Sequence, residues 1–194
     1  NHMPVIDMLL SQSLLQKNPG ESIVYGLICS NSVPELIKAR GGKGIRTRVG
    51  HSFIKQVMAD TGAIFGGEHS GHFYFRDNYR ADSGLIAALL VLEVLAKSGK
   101  KLSELRKEFE IYFQSGEINS TVSSVPEALK RVTDYYSDYE IDELDGYTVV
   151  DKTWWANIRA SNTEPLVRLN VEADTNEICQ TKTREILEVI RGEK

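Results

Sequence analysis

The sequence predicts an α/β sandwich domain followed by an α+β domain with an antiparallel sheet and two helices. Three observations carry this reading. In the first half, helical and strand-like patterns alternate with short links, as in a layered α/β sandwich. In the second half, short apolar runs near residues 139–143, 147–151, 154–160 and 166–173 follow one another with turns and no helices between them, which favours an antiparallel sheet. The two textures meet at Gln114-Ser115-Gly116, a short polar break. The domains are therefore drawn as 4–113 and 114–194, with Asn1-His2-Met3 set aside as a cloning scar.

The elements follow in order. Residues 4–17 carry apolar positions at helical spacing until Asn18-Pro19-Gly20 stops them. Ile23 to Cys29 suits a buried strand, Val33 to Ala39 a helix ended by Gly41-Gly42, and Ile45 to Val49 a strand. Ser52 is placed to cap a helix running to Asp60, with Gly62 past its end. Ala63 to Phe65 reads as a strand leading into the loop Gly66-Gly67-Glu68-His69-Ser70-Gly71-His72. Asp82 is placed to cap the helix 83–98, which Gly99 ends. After the break come a strand at 117–123, a helix at 126–136, the four strands named above and a last helix at 175–191. Asp145-Gly146 and Asp151-Lys152-Thr153 mark turns.

Composition narrows the function. The chain has 194 residues, 41% hydrophobic and 26% charged, an ordinary globular balance. Its net charge of −4 argues against whole-surface attraction to nucleic acid or anionic lipid, so an anion site must be built locally. The longest apolar stretch, Leu85 to Ala96, is too short to span a bilayer and contains Glu93. Cys29 and Cys179 lack metal-like spacing and read as free thiols in a reducing, cytoplasmic compartment.

Three segments concentrate chemistry. Arg159-Ala160-Ser161-Asn162-Thr163-Glu164-Pro165, with Arg168 three residues on, packs two guanidinium groups, two hydroxyls and an amide into ten residues. Arginine meets a phosphate with a planar, bidentate fork, and Ser, Thr and Asn add neutral donors. The structural alternative is a polar turn whose Ser and Asn bond their own backbone. In the loop Gly66 to His72, glycines allow close backbone approach, Glu68 can accept from two neighbouring sugar hydroxyls, and His69, Ser70 and His72 add donors. A metal reading is disfavoured, because His69 and His72 beside Glu68 sit in a glycine-rich loop and not on one helical face. Arg46-Thr47-Arg48-Val49-Gly50-His51 puts His51 between a strand and a helix, a common place for a site residue in α/β folds and for a proton carrier. The alternatives are a surface histidine at a helix start and, for Arg46, Arg48 and Lys55, a solvated basic face.

Together, Arg-Thr-Arg-Val-Gly-His (46–51), Gly-Glu-His-Ser-Gly-His (67–72) and Arg-Ala-Ser-Asn-Thr-Glu-Pro (159–165) resemble the α-D-phosphohexomutase family, in the right order over roughly 4–194. His51 and the form of the second motif look most like the phosphomannomutase/phosphoglucomutase type. The phosphoglucosamine branch usually has an acidic residue where His51 stands. The resemblance implies mutase domain 3, lacking its first strand, then domain 4 with a TATA-binding-protein-like fold. It implies hexose phosphates as partners, no nucleic acid or membrane, and the protein's own N-terminal domains alongside. Those domains would carry a phosphorylated serine in Thr-Ala-Ser-His-Asn-Pro and a magnesium loop, Asp-Gly-Asp-Gly-Asp-Arg. Neither string occurs here, so the chain alone is expected to be inactive. The whole enzyme would use Mg2+ and a glucose 1,6-bisphosphate-type intermediate to interconvert hexose 1- and 6-phosphates.

Carried over residue by residue, the resemblance gives Glu68, Ser70 and His72 to the sugar and Arg159, Ser161, Asn162, Thr163 and Arg168 to the phosphate. His51 lines the site or carries a proton. One departure stands out: Ile28, in Gly26-Leu27-Ile28-Cys29, occupies a place where Lys or Arg is common. A divergent, non-catalytic sugar-phosphate-binding paralogue and a phosphoglucosamine mutase are the alternative readings.

Overall fold

The computed structural model describes residues 3–161 and 164–193. It divides into two compact units, Asn1–Ile111 and Tyr112–Lys194.

The first unit runs α1 (Met3–Lys17), β1 (Ser22–Gly26), α2 (Ser32–Ala39), β2 (Lys43–Thr47), α3 (His51–Thr61), β3 (Phe65–Gly67), β4 (Phe73–Phe75), a 3-10 turn (Arg76–Asn78), β5 (Ala81–Asp82), α4 (Gly84–Ser98) and α5 (Leu102–Phe109). Its sheet has the order β2-β1-β3-β4-β5. The first three strands are parallel; β4 and β5 continue antiparallel. Successive strand residues point to opposite faces, and the core divides accordingly. Ile23, Phe65, Phe73 and Phe75 pack with Met8, Leu10, Ile37 and Ala87 of α1, α2 and α4. Val24 and Tyr74 pack with Ile54 and Met58 of α3. The sheet thus lies between two helical layers.

Several local expectations change. The first strand ends at Gly26, where a turn closes with Cys29 N–H donating to Gly26 O at 3.0 Å. The helix at α3 begins at His51 after Gly50, not at a Ser52 cap. Ser83, not Asp82, caps α4, its Oγ accepting from Ile86 N–H at 3.2 Å. Asp82 sits in β5, and its Oδ1 accepts from Phe73 N–H at 2.8 Å. Residues 66–72 are not a free loop: Gly66 and Gly67 belong to β3, and the rest closes a hairpin onto β4.

The second unit runs β6 (Phe113–Gln114), β7 (Ile118–Thr121), α6 (Val125–Tyr135), β8 (Glu140–Asp142), β9 (Tyr147–Val150), β10 (Trp154–Ala160), β11 (Leu166–Ala173) and α7 (Asn176–Arg191). The sheet is antiparallel, ordered β6-β11-β10-β9-β8, with β7 also paired to β11. One face buries Ala156, Ile158, Val167, Leu169 and Val171 against Val132 of α6 and Ile186, Val189 and Ile190 of α7. The alternation of Trp-Trp-Ala-Asn-Ile-Arg-Ala puts Trp155, Asn157 and Arg159 on the other face. Their partners across the ladder are Glu172, Asn170 and Arg168. That face is a polar ladder, with Trp155 Nε1–H donating to Glu172 Oε1 at 3.0 Å. Antiparallel sheet and two helices agree with the predicted α+β domain.

Candidate functional site

In the first unit, β3 delivers Glu68 into the hairpin turn. Glu68 N–H donates to His72 O at 3.0 Å, and Gly71 N–H donates to Glu68 O at 2.9 Å, with Gly71 at φ 85°. Glu68 is 8% exposed. Tyr74 Oη donates to its Oε1 at 2.9 Å, and Ser70 Oγ donates to its Oε2 at 2.8 Å. Ser70 Oγ also lies 3.0 Å from His72 Nδ1. A hydroxyl has one proton, so with Ser70 donating to Glu68, His72 must donate through Nδ1. Each carboxylate oxygen keeps lone-pair capacity beyond these bonds. The result is an acceptor fixed in orientation before any hydroxyl arrives. Burial, then the hydrogen bond to Glu68, push the Tyr74 phenol up from its ordinary value.

The predicted Glu68, Ser70 and His72 are therefore brought together, and Tyr74 joins them. His51 is exposed at the start of α3. One turn further on, Lys55 Nζ stands 5.6 Å from the Tyr74 ring centroid. Arg48 lies over the Phe53 ring at 4.6 Å. Ile28 is buried in the turn after β1.

The turn rests on a buried carboxyl. Asp7 of α1 is 1% exposed, and a Cβ built on Gly67 would lie 2.0 Å from its Oδ1. Glycine at 67 lets α1 approach the strand end from which Glu68 projects. Among the described residues Asp7 Oδ1 has no hydrogen-bond partner, and Oδ2 lies 4.0 Å from Cys29 Sγ. Burial first, and the neighbouring Glu68 charge second, hold the Asp7 carboxyl well above the carboxylate range. Burial, then Asp7, raise the Cys29 thiol in the same way.

In the second unit, β10 and β11 carry Arg159 and Arg168 as direct cross-strand partners. Arg159 is 4% exposed. Gly146, at φ 67°, packs against its backbone: a Cβ there would meet Ile158 O at 2.4 Å and Arg159 Cβ at 2.6 Å. Arg168 Nη2–H donates to Ser161 Oγ at 3.2 Å, and Ser161 N–H closes the hairpin onto Leu166 O at 2.9 Å. Arg159, Ser161 and Arg168 thus converge. Asn162 and Thr163 lie outside the described residues. Glu117, a residue that sequence reasoning missed, accepts from both arginines. Its place just before β7, the strand beside β11, gave no motif signal. The geometry offers two guanidinium groups and a hydroxyl to one anion.

Among the described residues no group of three or more His, Cys, Asp or Glu could hold a metal ion. No described helix is long and apolar enough to cross a membrane.

Comparison with known proteins decides the family. Residues 5–112 match the phosphoglucomutase/phosphomannomutase alpha/beta/alpha domain III, and residues 117–188 match the C-terminal domain of the same family. The chain belongs to the phosphoglucomutase/phosphomannomutase family. Phosphomannomutase of Methanocaldococcus jannaschii is 40% identical over 186 residues, covering 96% of this chain and 41% of that protein. A phosphoglucomutase/phosphomannomutase family protein of Burkholderia thailandensis superposes with a TM-score of 0.82 at 27% identity, over 97% of this chain and 42% of the other. Aspergillus fumigatus N-acetylphosphoglucosamine mutase, crystallised with glucose 1,6-bisphosphate, shares the fold with a TM-score of 0.72 at 15% identity, over 99% of this chain and 43% of that one. The chain spans about two fifths of the length of these mutases. Its fold agrees with the predicted pair of mutase domains.

Proposed function

We propose that this chain is the substrate-binding part of a cytoplasmic phosphomannomutase/phosphoglucomutase that interconverts hexose 1-phosphate and hexose 6-phosphate. The observation that carries the reading is Glu68, a buried carboxylate with both oxygens already oriented by Tyr74 and Ser70. Two vicinal sugar hydroxyls can donate to its remaining lone pairs. Ser70 and His72 supply further polar atoms, and His51 lines the sugar or carries a proton. The first unit is the sugar-binding domain and the second the phosphate-binding domain. Arg159, Ser161 and Arg168, with the sequence neighbours Asn162 and Thr163, take the phosphate that is not being transferred.

Positioning and charge stabilisation dominate phosphoryl transfer, so a grip on the far phosphate and ring hydroxyls is a direct catalytic contribution. The phosphoserine would donate to a sugar monophosphate, and the bisphosphate would turn over before returning its other phosphate to serine. That serine and the magnesium loop would lie in the enzyme's other domains, while the residues of this chain would hold the sugar phosphate and not the metal. A site blind to C2 accepts both mannose and glucose phosphates.

The buried Ile28 favours a second reading, a divergent sugar-phosphate-binding paralogue that does no chemistry. Titration calorimetry on this chain, paired with a coupled mutase assay, tests the proposal. Mannose 1-phosphate should bind, free mannose far more weakly, and no turnover should appear. Equal affinity for mannose and mannose 1-phosphate would sink the phosphate-binding role, and turnover above background would sink the assignment of the chemistry to other domains.

A further inference from the structure

Glu117 stands where a bound anion would stand. Its Oε2 accepts from Arg159 Nη2 at 3.1 Å, and its Oε1 accepts from Arg168 Nη1 at 3.0 Å. One carboxylate bridging two guanidinium groups through separate oxygens presents the same acceptor edge as two oxygens of a phosphate. The arrangement is incomplete. Among the described residues the Nε atoms of both Arg159 and Arg168 are buried without a hydrogen-bond partner. A buried N–H left unmade costs free energy, so the pair is better satisfied by an anion with more acceptor oxygens than a carboxylate has. Glu117 lies at the surface and can trade its arginines for water, an option that Arg159, at 4% exposure, lacks.

We propose that Glu117 is a built-in counter-anion: it occupies the arginine pair in the free protein and is displaced, from one or both guanidinium groups, by the phosphate of the sugar. This rests on the phosphate-binding reading given above. The pair carries two positive charges and Glu117 one negative charge, so an incoming phosphate meets a net attraction of one charge, not two. It must also replace existing charge-assisted bonds instead of making only new ones. Both effects lower affinity and speed release. Such loosening suits a reaction in which one intermediate must let go of its phosphate site and return with the opposite end.

Titration calorimetry with mannose 1-phosphate on wild type, Glu117→Gln and Arg168→Ala tests the exchange. Glu117→Gln keeps the size and removes the charge. It should tighten binding about 3–10-fold and steepen the loss of affinity with added salt, because an uncompensated guanidinium pair attracts an anion more strongly. Arg168→Ala should weaken binding. A Glu117→Gln protein that binds equally or more weakly, while Arg168→Ala loses affinity, would overturn the counter-anion role and leave Glu117 as an orienting residue. If neither variant changes affinity, the phosphate reading itself fails and the counter-anion role with it. A second measurement needs no variant. The side-chain carboxyl 13C resonance of Glu117 should move as inorganic phosphate is titrated into the wild-type chain. An unmoved resonance at phosphate saturation would equally overturn the exchange.

Discussion

Arg159 and Arg168 face one another across the β10–β11 ladder and donate to opposite oxygens of a single carboxylate, Glu117. The two arginines differ in surroundings: the Arg159 side chain is 5% exposed and that of Arg168 is 25%. Their replacement should therefore differ in cost. Arg159→Ala removes packed methylenes as well as charge and should destabilise the second unit by about 1–3 kcal/mol. Arg168→Ala, at a more accessible position, should cost less than about 1 kcal/mol. Urea unfolding of both variants checks the ranking; a larger loss for Arg168→Ala would contradict it.

Glu68→Gln preserves size but removes the charge held by Tyr74 and Ser70. Charged hydrogen bonds of about 1.5–3 kcal/mol are at stake, so affinity for mannose 1-phosphate should fall roughly 10–150-fold. Melting temperature should barely move. Unchanged affinity would remove Glu68 from the sugar contacts, and unfolding would make it a structural residue.

Tyr74→Phe separates orientation from charge. It deletes one donor to Glu68 and leaves the ring in its place against α3. Affinity should drop less than in Glu68→Gln, by roughly 3–10-fold for a bond worth about 1 kcal/mol net. Combined with Glu68→Gln, the second change should add little, because both act through one carboxylate. Full additivity in the calorimetric double-mutant cycle would show that Tyr74 acts elsewhere.

These two predictions mark what the sequence does and does not disclose. Glu68, Ser70 and His72 are legible because they fall within seven residues of one glycine-rich loop. Tyr74 is not, because Phe73-Tyr74-Phe75 is too short to show a period and becomes a strand only when paired to β3 and β5. β10 and β11 are legible to the residue, since their alternation is long and bounded by turn signals. Two-residue strands such as β5 and β6 carry no period at all and exist through their neighbours. Glu117 lies more than 40 residues before Arg159 in the chain; only the pairing of β7 with β11 brings it near. The Asp82 cap fails for a related reason: Ser83 is an equally good cap by type, and strand pairing claims the aspartate.

Asp7 gives a pH prediction. Its carboxyl is raised in the folded state, so the native protein holds that proton more tightly than the unfolded chain does. Stability from this group is fully present below the unfolded value of about 3.9 and is lost as pH rises through the raised one. Asparagine stays neutral throughout. Asp7→Asn should melt above wild type at pH 7 and converge with it near pH 4. Parallel pH profiles for the two proteins would contradict the assignment.

Gly67→Ala probes the same contact from the other side. The new methyl would meet Asp7 Oδ1 at 2.0 Å, and the variant should lose about 1–3 kcal/mol from overpacking. Adding Asp7→Ala should restore part of that loss, a coupling that unfolding of the double variant would reveal. Independent, additive costs would mean that the two residues do not touch.

The most direct test of the account is the affinity of mannose 1-phosphate for wild type, Arg159→Ala and Arg168→Ala, measured by titration calorimetry beside free mannose. Each substitution removes up to two charge-assisted bonds and should weaken the phosphorylated sugar by about 2–3 kcal/mol, roughly 30–150-fold. Lysine at either position should restore only part of the loss, because an ammonium cannot form the bidentate fork. Any weak binding of free mannose should be indifferent to both changes. If wild type and both alanine variants bind mannose 1-phosphate equally, the arginine pair of β10 and β11 is a structural turn and not a phosphate site.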